Sequence, residues 1–377
     1  MAKSFAELNI AEDLCALLAA DGITVPTPIQ TAALPEVLEQ KDVIIRSLTG
    51  TGKTLCYLLP ILQTLDATSA HIQAVVVAPT QELTMQIVRV AEKLGETRGI
   101  RSLGLIGGAS LKRQIARLKQ HPHLVAGTPG RLVELLNMRK LKLHEVRVLV
   151  TDEVDQVFQL GEQAAVERIL KSTLRDRQLI FVSATMPEAF RTVADRWMNE
   201  PVYIDEAGEE RTAPGIEHVY FICEARQRIE LLQKLIFHYR PQAAIVFVSH
   251  SNEIVGITEK LKYNRIESGA LYGDQPKLER NLVLDKLRSG KLQVLVATDL
   301  AARGLDLPNV SHVFSVHPAA DSDYYVHRAG RTGRMGRKGT MVSLITPSEQ
   351  FILQKFEKQL DIEIKRKELY FGRIVDP

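Results

Sequence analysis

The chain has 377 residues, of which 45% are apolar and 25% are charged, and its formal net charge is +3. This length and composition are those of a globular protein with two domains. The small net charge permits a polyanionic partner but does not demand one, so any basic patch must be local. Three distant cysteines without C-x-x-C spacing argue against a zinc site or a disulfide framework. The sequence shows no secretory signal and no uncharged apolar run of membrane-spanning length. We therefore expect a cytoplasmic protein with no membrane contact and no disulfide partner.

The first residues predict a helix followed by a proline-rich turn. Apolar side chains recur at helical spacing over residues 5–20, and Asp21-Gly22 follows. Residues 22–30 read G-I-T-V-P-T-P-I-Q, in which two prolines hold the backbone extended just before a helix. This aims Gln30 in a fixed direction, and its amide offers the donor and acceptor that suit the edge of an adenine ring. Taken alone, the segment is better explained as a proline turn with an exposed glutamine.

A glycine-rich segment at 47–54, S-L-T-G-T-G-K-T, follows the apolar residues 42–45 and precedes a leucine-rich run that suits a helix. Strand, glycine loop and helix N-terminus together form a phosphate cradle, in which lysine adds a positive charge and the final hydroxyl holds Mg²⁺. The segment departs from G-x-x-x-x-G-K-[ST] at Ser47, and a tight turn with a surface lysine is the weaker alternative. We expect a nucleoside triphosphate to bind Thr49, Gly50, Thr51, Gly52, Lys53 and Thr54.

Strand-like apolar runs then alternate with helical stretches. We predict strands at Ala74–Ala78, Ser102–Ile106, Leu124–Ala126, Val146–Val150 and Leu179–Val182. This alternation predicts an α/β fold with a doubly wound parallel sheet, in which functional residues lie on the loops at the carboxyl ends of the strands. The candidate residues do follow strands: Pro79-Thr80, Gly107-Gly108, Thr128–Arg131, Asp152–Asp155 and Ser183–Thr185.

A second domain follows a linker. At residues 207–215 the apolar pattern lapses into small, charged, proline and glycine residues, which is typical of a flexible linker. Further strands are predicted at Ala244–Val248, Ile266–Leu271, Val294–Ala297, His312–Val316 and Met341–Ile345. We therefore predict two domains, at 1–206 and 216–377. Because only the first carries a phosphate loop, we expect the nucleotide to be sandwiched between them.

Acidic residues end one of the predicted strands, in V-R-V-L-V-T-D-E-V-D. Asp152 is expected to hold Mg²⁺ through water, and Glu153 to orient an attacking water. Acidic residues after a strand also cap helices, but the phosphate loop upstream favours the metal site. Ser183-Ala184-Thr185 ends the next strand, at a level where its hydroxyls would reach Asp155, although hydroxyls there often only cap a helix.

Arginines recur at every third position of residues 325–337, Y-V-H-R-A-G-R-T-G-R-M-G-R. A run of this kind is usually a solvated or generally anion-binding surface. The interleaved glycines favour close approach to a backbone or a phosphate. Arg331 and Arg334 are then expected to act as arginine fingers, which stabilise charge on a γ-phosphate from the second domain.

Together these segments resemble the DEAD-box RNA helicases of superfamily 2, in family order and over almost the whole chain, and the length resembles short, tail-less bacterial members. Residues 22–30 resemble the adenine-binding Q motif, with Phe5 as its upstream stacking aromatic. The remaining matches are the phosphate loop at 47–54, the signature tetrapeptide at 152–155, the coupling motif at 183–185, and two motifs of the second domain at 294–307 and 327–334.

The resemblance implies two RecA-like domains, ATP and Mg²⁺ as cofactors, and RNA as partner. Catalysis is implied for Lys53, Asp152, Glu153, Arg331 and Arg334, with Asp306 near the ribose and the fingers. Coupling is implied for Asp155, Ser183, Thr185 and His327. RNA contacts are implied at Pro79, Thr80, Gly107, Gly108, Thr128, Gly130, Arg131, Arg280, Thr298, Arg303 and Gly304. Backbone N–H groups, hydroxyls and arginines that face phosphates predict binding that is insensitive to base sequence.

The chain departs from the family pattern at five positions. Val154 replaces Ala in the tetrapeptide and leaves its carboxylates intact. Gln81 stands where the family usually has Arg, so one charged contact is missing. Tyr272 and Lys277 replace His and Gln near Arg280, and Ala329 replaces a larger aliphatic residue.

The resemblance implies an ATP-dependent RNA helicase that unwinds short duplexes or remodels RNA–protein complexes through ATP-driven domain closure, with ribosomal precursors as one suggested RNA class. One alternative, kept open by the departures, is an ATP-switched RNA clamp or assembly scaffold with little unwinding. A DNA translocase of the same superfamily is less favoured, because the Q-like segment is typical of the RNA-directed branch.

Overall fold

The computed structural model describes residues 4–47, 51–185, 188–205, 215–273, 275–302, 307, 309–333 and 337–376, apart from the side chains of residues 188, 189 and 277. The chain divides near residues 207 and 208 into two compact units. Apart from Gly215, the predicted linker at 207–215 lies outside the described residues. Within the described ranges, no helix has both the length and the apolar character needed to cross a membrane.

In its described part, the first unit is a parallel sheet of seven strands with helices on both faces. The strands are β1 (Val43–Arg46), β2 (Ala74–Val77), β3 (Ser102–Leu105), β4 (Leu124–Gly127), β5 (Val148–Thr151), β6 (Gln178–Ser183) and β7 (Val202–Asp205). The helices are α1 (Glu12–Ala20), α2 (Pro28–Leu38), α3 (Lys53–Thr64), α4 (Gln81–Gly95), α5 (Leu111–Leu118), α6 (Pro129–Asn137), α7 (Val154–Gln159), α8 (Gln163–Leu170) and α9 (Glu188–Trp197). The strand order is β3-β4-β2-β5-β6-β1-β7, and every pairing is parallel.

Both faces of this sheet are buried, which explains why its strands read as continuous apolar runs. Val43 and Ile45 point into a hydrophobic cluster with α1 to α4, whereas Ile44 between them points into a second cluster with α6 to α9. This is the two-residue period of a strand covered by helices on each side. The core therefore fixes which strand ends meet at the carboxyl edge of the sheet.

The second unit, in its described residues, has a sheet of the same kind and a small hairpin. Its strands are β8 (Ile216–Ile222), β9 (Ala244–Phe247), β10 (Ser268–Leu271), β11 (Val294–Ala297), β12 (His312–Ser315), β13 (Gly339–Ile345) and β14 (Lys365–Arg366), with the antiparallel pair β15 (Glu368–Tyr370) and β16 (Arg373–Val375). Its helices are α10 (Arg228–Tyr239), α11 (Ser251–Tyr263), α12 (Lys277–Arg288), α13 (Asp299–Ala302), α14 (Ser322–Ala329) and α15 (Gln350–Leu360). Short 3₁₀ turns occur at Ala6–Leu8, Glu96–Arg98, Ala225–Gln227 and Pro347–Glu349.

The order of the second sheet is β10-β11-β9-β12-β13-β8-β14. Counted from its own first strand, this is the order of the first sheet. Each sheet is parallel and flanked by helices, so the predicted fold class, two α/β units with doubly wound parallel sheets, is confirmed.

The prediction of one helix over residues 5–20 is wrong. A 3₁₀ turn ends at Leu8, Asn9 takes a left-handed conformation with φ 61°, and α1 begins at Glu12. The side chain of Gln63 on α3 binds the backbone groups at this break. Its amide donates to the Asn9 carbonyl oxygen and accepts from the Ala11 N–H, each at 2.9 Å. Apolar spacing misses this break because the residues on both sides of it face the same core.

Two predicted strands begin too early, and several edge strands were missed. β5 begins at Val148 and β10 at Ser268, because the N–H groups of Val146 and Ile266 bond to Leu143 and Leu261 in the preceding turns. Strands β7, β8 and β14 to β16 lie at or near sheet edges, where exposed residues dilute the apolar signal.

A buried histidine joins the second sheet to its helices. His218 on β8 is 6% exposed, and its Nδ1 lies 2.9 Å from the hydroxyl of Tyr325 on α14. Burial lowers the pKa of His218 to about 4. Since an unfolded histidine titrates near 6.5, the unfolded second unit takes up a proton between about pH 6.5 and 4 that the folded unit does not.

We predict that this histidine makes the second unit less stable as the pH falls through that window. Its contribution is fully present above about pH 6.5 and is lost towards pH 4, at about 1.4 kcal/mol per pH unit. His218→Gln should therefore flatten the pH dependence of the free energy of unfolding, measured by urea titration. His238→Gln, at an exposed position on α10, is the control. Equal pH dependence in parent and His218→Gln would contradict the prediction.

Candidate functional site

The candidate residues of the first unit fall on two adjacent halves of one sheet edge. Because parallel strands all end at the same edge, their following loops line up in strand order. The predicted phosphate and metal residues follow the neighbouring strands β5, β6 and β1, whereas the predicted RNA residues follow β3, β4 and β2. Strands β2 and β5 are paired, so the two halves meet about 5 Å apart in the sheet.

Gly52 begins α3 and is held by the proline-rich segment. Its φ is +89°, and a side chain there would clash with the amide of Gln30. The Gln30 Nε2 donates to the Gly52 carbonyl oxygen at 3.1 Å, and the Thr27 hydroxyl donates to the Thr51 carbonyl oxygen at 2.9 Å. Gln30 is 2% exposed, so the interpretation as an exposed glutamine is wrong. The segment before α2 supports the glycine loop, of which Thr49 and Gly50 lie outside the described residues.

The adenine contacts stay predictions. The Gln30 Oε1 accepts from the Thr27 N–H at 2.9 Å and completes a capping box at the start of α2, so both ends of the amide already have a partner. Phe5 is 3% exposed and packs in the hydrophobic cluster with Leu8 and Ile10. If adenine binds here, it must use the hydrogen-bonding capacity that remains on the Gln30 amide and the edge of the Phe5 ring.

Lys53 is buried at the first turn of α3, with 9% of its surface exposed, and its Nζ donates to the carbonyl oxygen of Ser47. Burial lowers the pKa of Lys53, and the carboxylates of Asp152 and Glu153 oppose this shift. The lysine thus lies at the helix N-terminus, in the electrostatic range of the acidic pair. This is the charge arrangement that a phosphate loop needs.

Tyr57 connects α3 to the strand-end acid. Its buried hydroxyl donates to Asp152 Oδ2 at 2.8 Å, and the side chain of Thr54 is a further hydrogen-bonding neighbour. Burial, and after it the charge of Glu153, raise the pKa of Asp152, and the hydrogen bond from Tyr57 opposes them, so that the pKa lies at about 6. Sequence reasoning missed Tyr57, although its position four residues after Lys53 puts both on one helix face.

The site suits Mg²⁺ as that ion is usually bound, with few protein ligands and several waters. Thr54 and Asp152, the predicted ligands, both neighbour the Tyr57 hydroxyl. No cluster of three or more His, Cys, Asp or Glu side chains placed to hold a metal occurs among the described residues. Thr54 and Asp152 would hold the ion largely through water.

Glu153 has a strained backbone and an unsatisfied oxygen. It takes φ 49° and ψ 48° just before α7, in the left-handed region that costs an ordinary residue about 1–2 kcal/mol. Its Oε2 is buried without a hydrogen-bond partner among the described residues. A buried orphan acceptor beside the phosphate loop suits a carboxylate that orients a water.

Asp155 contacts Thr185 at the end of the neighbouring strand β6, as predicted from the sequence. Its Oδ2 accepts from the N–H of Thr185 at 3.0 Å and from its hydroxyl at 3.1 Å. The Ser183 hydroxyl instead donates to the Thr185 carbonyl oxygen and closes the turn. The contact joins β5 and β6; a role in coupling stays a prediction.

The predicted RNA residues of the first unit surround two helix starts. The Thr80 hydroxyl accepts from the Leu83 N–H at 3.2 Å and caps α4, beside half-buried Pro79. Gly108 has φ +65°, and the Gln81 amide packs beside it. Gln81, which stands where the family usually has Arg, therefore packs against the Gly107–Gly108 turn.

The guanidinium of Arg131 is largely occupied by contacts within the first unit. It is 9% exposed, both terminal nitrogens donate to the Ala109 carbonyl oxygen at 3.3 Å, and its Nε lies 2.8 Å from Glu134. It braces the loop after β3 against α6. Half-buried Thr128 and exposed Gly130, at the start of α6, lie nearer to solvent.

A buried arginine joins the two predicted motifs of the second unit. Arg328 is 1% exposed, and its Nε and Nη2 donate to the two oxygens of Asp299, each at 2.7 Å. Its Nη1 donates to the His317 carbonyl oxygen at 2.7 Å. This arginine is structural and not part of a solvated surface. Sequence reasoning missed Asp299, whose only signal is its place two residues after β11.

The other predicted residues of the second unit lie near α13 and α14. Arg280 Nη2 donates to the Ala301 carbonyl oxygen at 2.9 Å, and the Thr298 hydroxyl accepts from the Ala301 N–H at 3.3 Å. His327 and Arg331 are buried, at 9% and 4% exposure. Arg303, Gly304, Asp306 and Arg334 lie outside the described residues, as does the side chain of Lys277.

Three departures from the family pattern are part of the packing. Val154 and Ala329 are fully buried in hydrophobic clusters, and Tyr272 is half-buried against one. Val154 therefore fits the core beside the acidic segment.

The fold and the site together define a phosphate-loop α/β protein of two similar units. A glycine-bounded helix start, a buried lysine and a strand-end acid occur in the first unit, and the second carries an arginine-rich segment instead.

Residues 27–193 match the DEAD/DEAH box helicase family, and residues 227–336 match the helicase conserved C-terminal domain. The chain is 43% identical to the DEAD-box ATP-dependent RNA helicase CshC of Bacillus cereus, over 93% of this chain and 90% of that protein. It is 40% identical to the probable ATP-dependent RNA helicase YfmL of Bacillus subtilis, over 94% of each. Its structure resembles that of S. cerevisiae Dbp5 bound to RNA and ADP BeF3, with a TM-score of 0.89, 31% identity, and coverage of 97% of this chain and 95% of that one.

The chain therefore belongs to the DEAD/DEAH box helicase family, and its two sheets are the RecA-like domains that the resemblance implied. The sequence-based recognition of the family is confirmed.

We predict that Asp299→Asn destabilises the second domain. The change leaves the guanidinium of Arg328 buried without its carboxylate, and breaking a buried pair costs about 3–5 kcal/mol. We expect about 3 kcal/mol, because Asp299 keeps some contact with water. Urea unfolding measures the loss.

Glu230→Gln is the matched control, because it breaks an exposed pair with Lys234 in the same domain. Such exposed pairs contribute little to stability, because water screens the two charges. A loss no larger in Asp299→Asn than in the control would show that Arg328 is not held by this carboxylate.

Proposed function

We propose that the protein is an ATP-dependent RNA helicase that binds RNA backbone across two domains and locally unwinds short duplexes or remodels RNA–protein complexes by ATP-driven domain closure. The observation that carries the proposal is the division of one sheet edge into a phosphate half and an RNA half, which meet at the paired strands β2 and β5. The relatives named as RNA helicases and the neighbour bound to RNA support the same substrate.

The phosphate half is proposed to carry ATP hydrolysis. ATP with Mg²⁺ supplies the transferable phosphoryl group. Lys53 and the helix start at Gly52 hold the phosphates, and Thr54 with Asp152 hold the ion. Glu153, with its orphan buried oxygen, orients the attacking water.

The RNA half is proposed to bind backbone only. Thr80, Thr128 and the glycines after β3 offer hydroxyls and N–H groups at helix starts, which suit phosphates and sugars. Arg280 and Thr298, with Arg303 and Gly304, extend these contacts on the second domain. We propose that this RNA binding has little preference for base sequence. Ribosomal precursors as the RNA, and a cytoplasmic location, are part of it on family grounds alone.

Domain closure is proposed to complete the catalytic site. In this hypothesis Arg331 and Arg334 of the domain at 216–377 reach the nucleotide held by the domain at 1–206, with Asp306 beside them. The link from Asp155 to Thr185, with His327 opposite, would transmit closure between RNA and nucleotide. Hydrolysis would then release the closed state and the RNA.

The strand-displacement reaction tests the proposed function. We expect the protein to release a labelled strand from a short RNA duplex only with ATP, and its ATPase activity to rise with RNA but not with DNA of the same sequence. RNA-stimulated ATPase without displacement would favour the ATP-switched clamp. Equal stimulation by DNA would favour a translocase, and no stimulation by either would remove the proposal.

We predict that Glu153→Gln retains nucleotide binding and stalls hydrolysis. The amide keeps the size and position of the side chain but does not accept a proton or orient water as the carboxylate does. Fluorescent-nucleotide titration and single-turnover hydrolysis measure the two steps. Glu145→Gln, at an exposed position before β5, should behave as the parent. Turnover in Glu153→Gln close to that of the control would remove the assigned role.

We predict that Arg331→Ala lowers RNA-stimulated ATPase activity by about 10³-fold, as loss of an arginine finger does. Nucleotide binding to the first domain should persist, because that domain carries the phosphate loop. Arg337→Ala is the control; its guanidinium is exposed and bonds Asn309 at 2.5 Å. Similar ATPase rates for the two variants would argue against catalysis across the domains.

A further inference from the structure

A hairpin with an unusual turn follows β14 in the second domain. Phe371 and Gly372 connect β15 to β16, with φ values of +44° and +74°. Two successive positive φ values define a type I′ turn, whose first central residue is usually Asn, Asp or Gly. A phenylalanine there strains the backbone without benefit to the turn itself. The ring therefore needs another explanation than hairpin stability.

The hairpin presents its aromatic rings to solvent. The cross-strand pair Leu369 and Ile374 is half-buried, and Ile374 packs on the hydrophobic cluster of the domain. The alternate pair, Tyr370 and Arg373, points the other way and is exposed. Tyr370 is 64% exposed and Phe371 is 89% exposed, with ring centroids 4.6 Å apart in an edge-to-face arrangement. One side of the hairpin anchors it, and the other side carries the rings.

Basic side chains occur along the same segment. Residues 365–376, K-R-K-E-L-Y-F-G-R-I-V-D, contain four basic and two acidic side chains. Lys365 pairs with Glu363, Arg366 with Glu368 and Lys367 with Asp376. Arg373, opposite Tyr370, makes no ion pair with any residue in the described ranges. An exposed guanidinium next to exposed rings suits a ligand that has both a flat face and a negative charge.

The base of the hairpin lies at the functional edge of its sheet. β14 pairs with β8 in parallel, and the Lys367 N–H donates to the Tyr220 carbonyl oxygen at 2.9 Å. Residues 367–369 then line a cleft of about 340 Å³ with Ile222, the last residue of β8, and Cys223, which follows it. Thr298 follows β11 at the same edge, five strands away, or about 24 Å. The loops after β9, β12, β13 and β8 lie between Thr298 and the hairpin, so a bound strand must extend past them by this distance to reach it.

We propose that Tyr370, Phe371 and Arg373 form an auxiliary RNA-binding site, in which an unpaired base stacks on the exposed rings and a phosphate pairs with the arginine. Aromatic rings beside cations are the usual means of binding single strands without sequence preference. The charge of Arg373, which no described acidic side chain offsets, favours RNA over an apolar protein partner. The inference rests on the proposed function and adds a contact outside the helicase motifs.

The variant Phe371→Asn separates RNA binding from stability. Asparagine favours the left-handed conformation, so the hairpin should be at least as stable, and thermal unfolding should not shift downwards. Loss of the ring should weaken binding of a labelled single-stranded oligoadenylate by about 5- to 10-fold, measured by fluorescence anisotropy. A hairpin with only a structural role predicts no such loss. Tyr370→Ala should weaken binding to a similar degree.

Two further variants define the site. Tyr263→Asn removes a ring that is also 89% exposed but lies at the end of α11, before β10, and should bind RNA as the parent does. Arg373→Gln should lower the slope of log K against log salt by about 0.7, which is the share of one phosphate contact on a single strand.

The outcomes distinguish this inference from the proposed function. If the parent does not bind RNA, the proposed function itself fails. If the parent binds RNA and Phe371→Asn and Tyr370→Ala bind it as tightly as Tyr263→Asn, the auxiliary site is wrong and the rings face a protein or solvent. An unchanged salt slope in Arg373→Gln would remove the phosphate contact.

Discussion

The burial of the acidic segment after β5 is the constraint on which the site depends. Asp152 is 3% exposed and Asp155 is fully buried, in the middle of a seven-stranded sheet. Burying a carboxylate is unfavourable unless hydrogen bonds satisfy it, and burial accordingly raises the pKa of Asp152. The bonds from Tyr57 to Asp152 and from Thr185 to Asp155 meet this requirement, and they fix α3 and β6 relative to β5. The chemistry and the packing of the first domain therefore have the same cause.

The two domains share one strand order but differ in what their strand ends hold. In the first, a left-handed glycine starts α3 and a lysine is buried behind it. In the second, the strand that corresponds to β1 is β8, and it is followed by C-E-A-R-Q-R and a 3₁₀ turn at Ala225–Gln227. That segment has neither the glycines that let a phosphate approach the backbone nor a lysine to pair with it. The pair of Arg328 and Asp299, which joins α13 to α14, lies after the strands that correspond to β4 and β5.

The fold was readable from the sequence because parallel strands covered on both sides are apolar throughout, and turn residues separate them. The errors come from contacts at long range in the sequence. Gln63 binds the backbone between the first 3₁₀ turn and α1, more than 50 residues earlier in the sequence. Tyr57 donates a hydrogen bond to Asp152, which is 95 residues away in the sequence. Gln30 was identified from its motif, but only the tertiary contact shows that its amide also holds Gly52. Local patterns carry no information on such partners.

Non-glycine residues in a left-handed conformation occur at several points of the described chain. Most follow the end of a helix, as at Arg139, Arg240 and Asp361, where this conformation closes the last turn and satisfies carbonyl groups. Glu153 precedes a helix, and Phe371 lies in a hairpin turn, so neither gains from such a cap. Each costs about 1–2 kcal/mol in backbone strain, which the surrounding fold must offset. Glu153 places a carboxylate beside the phosphate loop, and Phe371 places a ring in solvent. Both positions combine backbone strain with the absence of a helix cap that would offset it locally. In the hairpin this strain is the signal for a site, because no sequence motif occurs there.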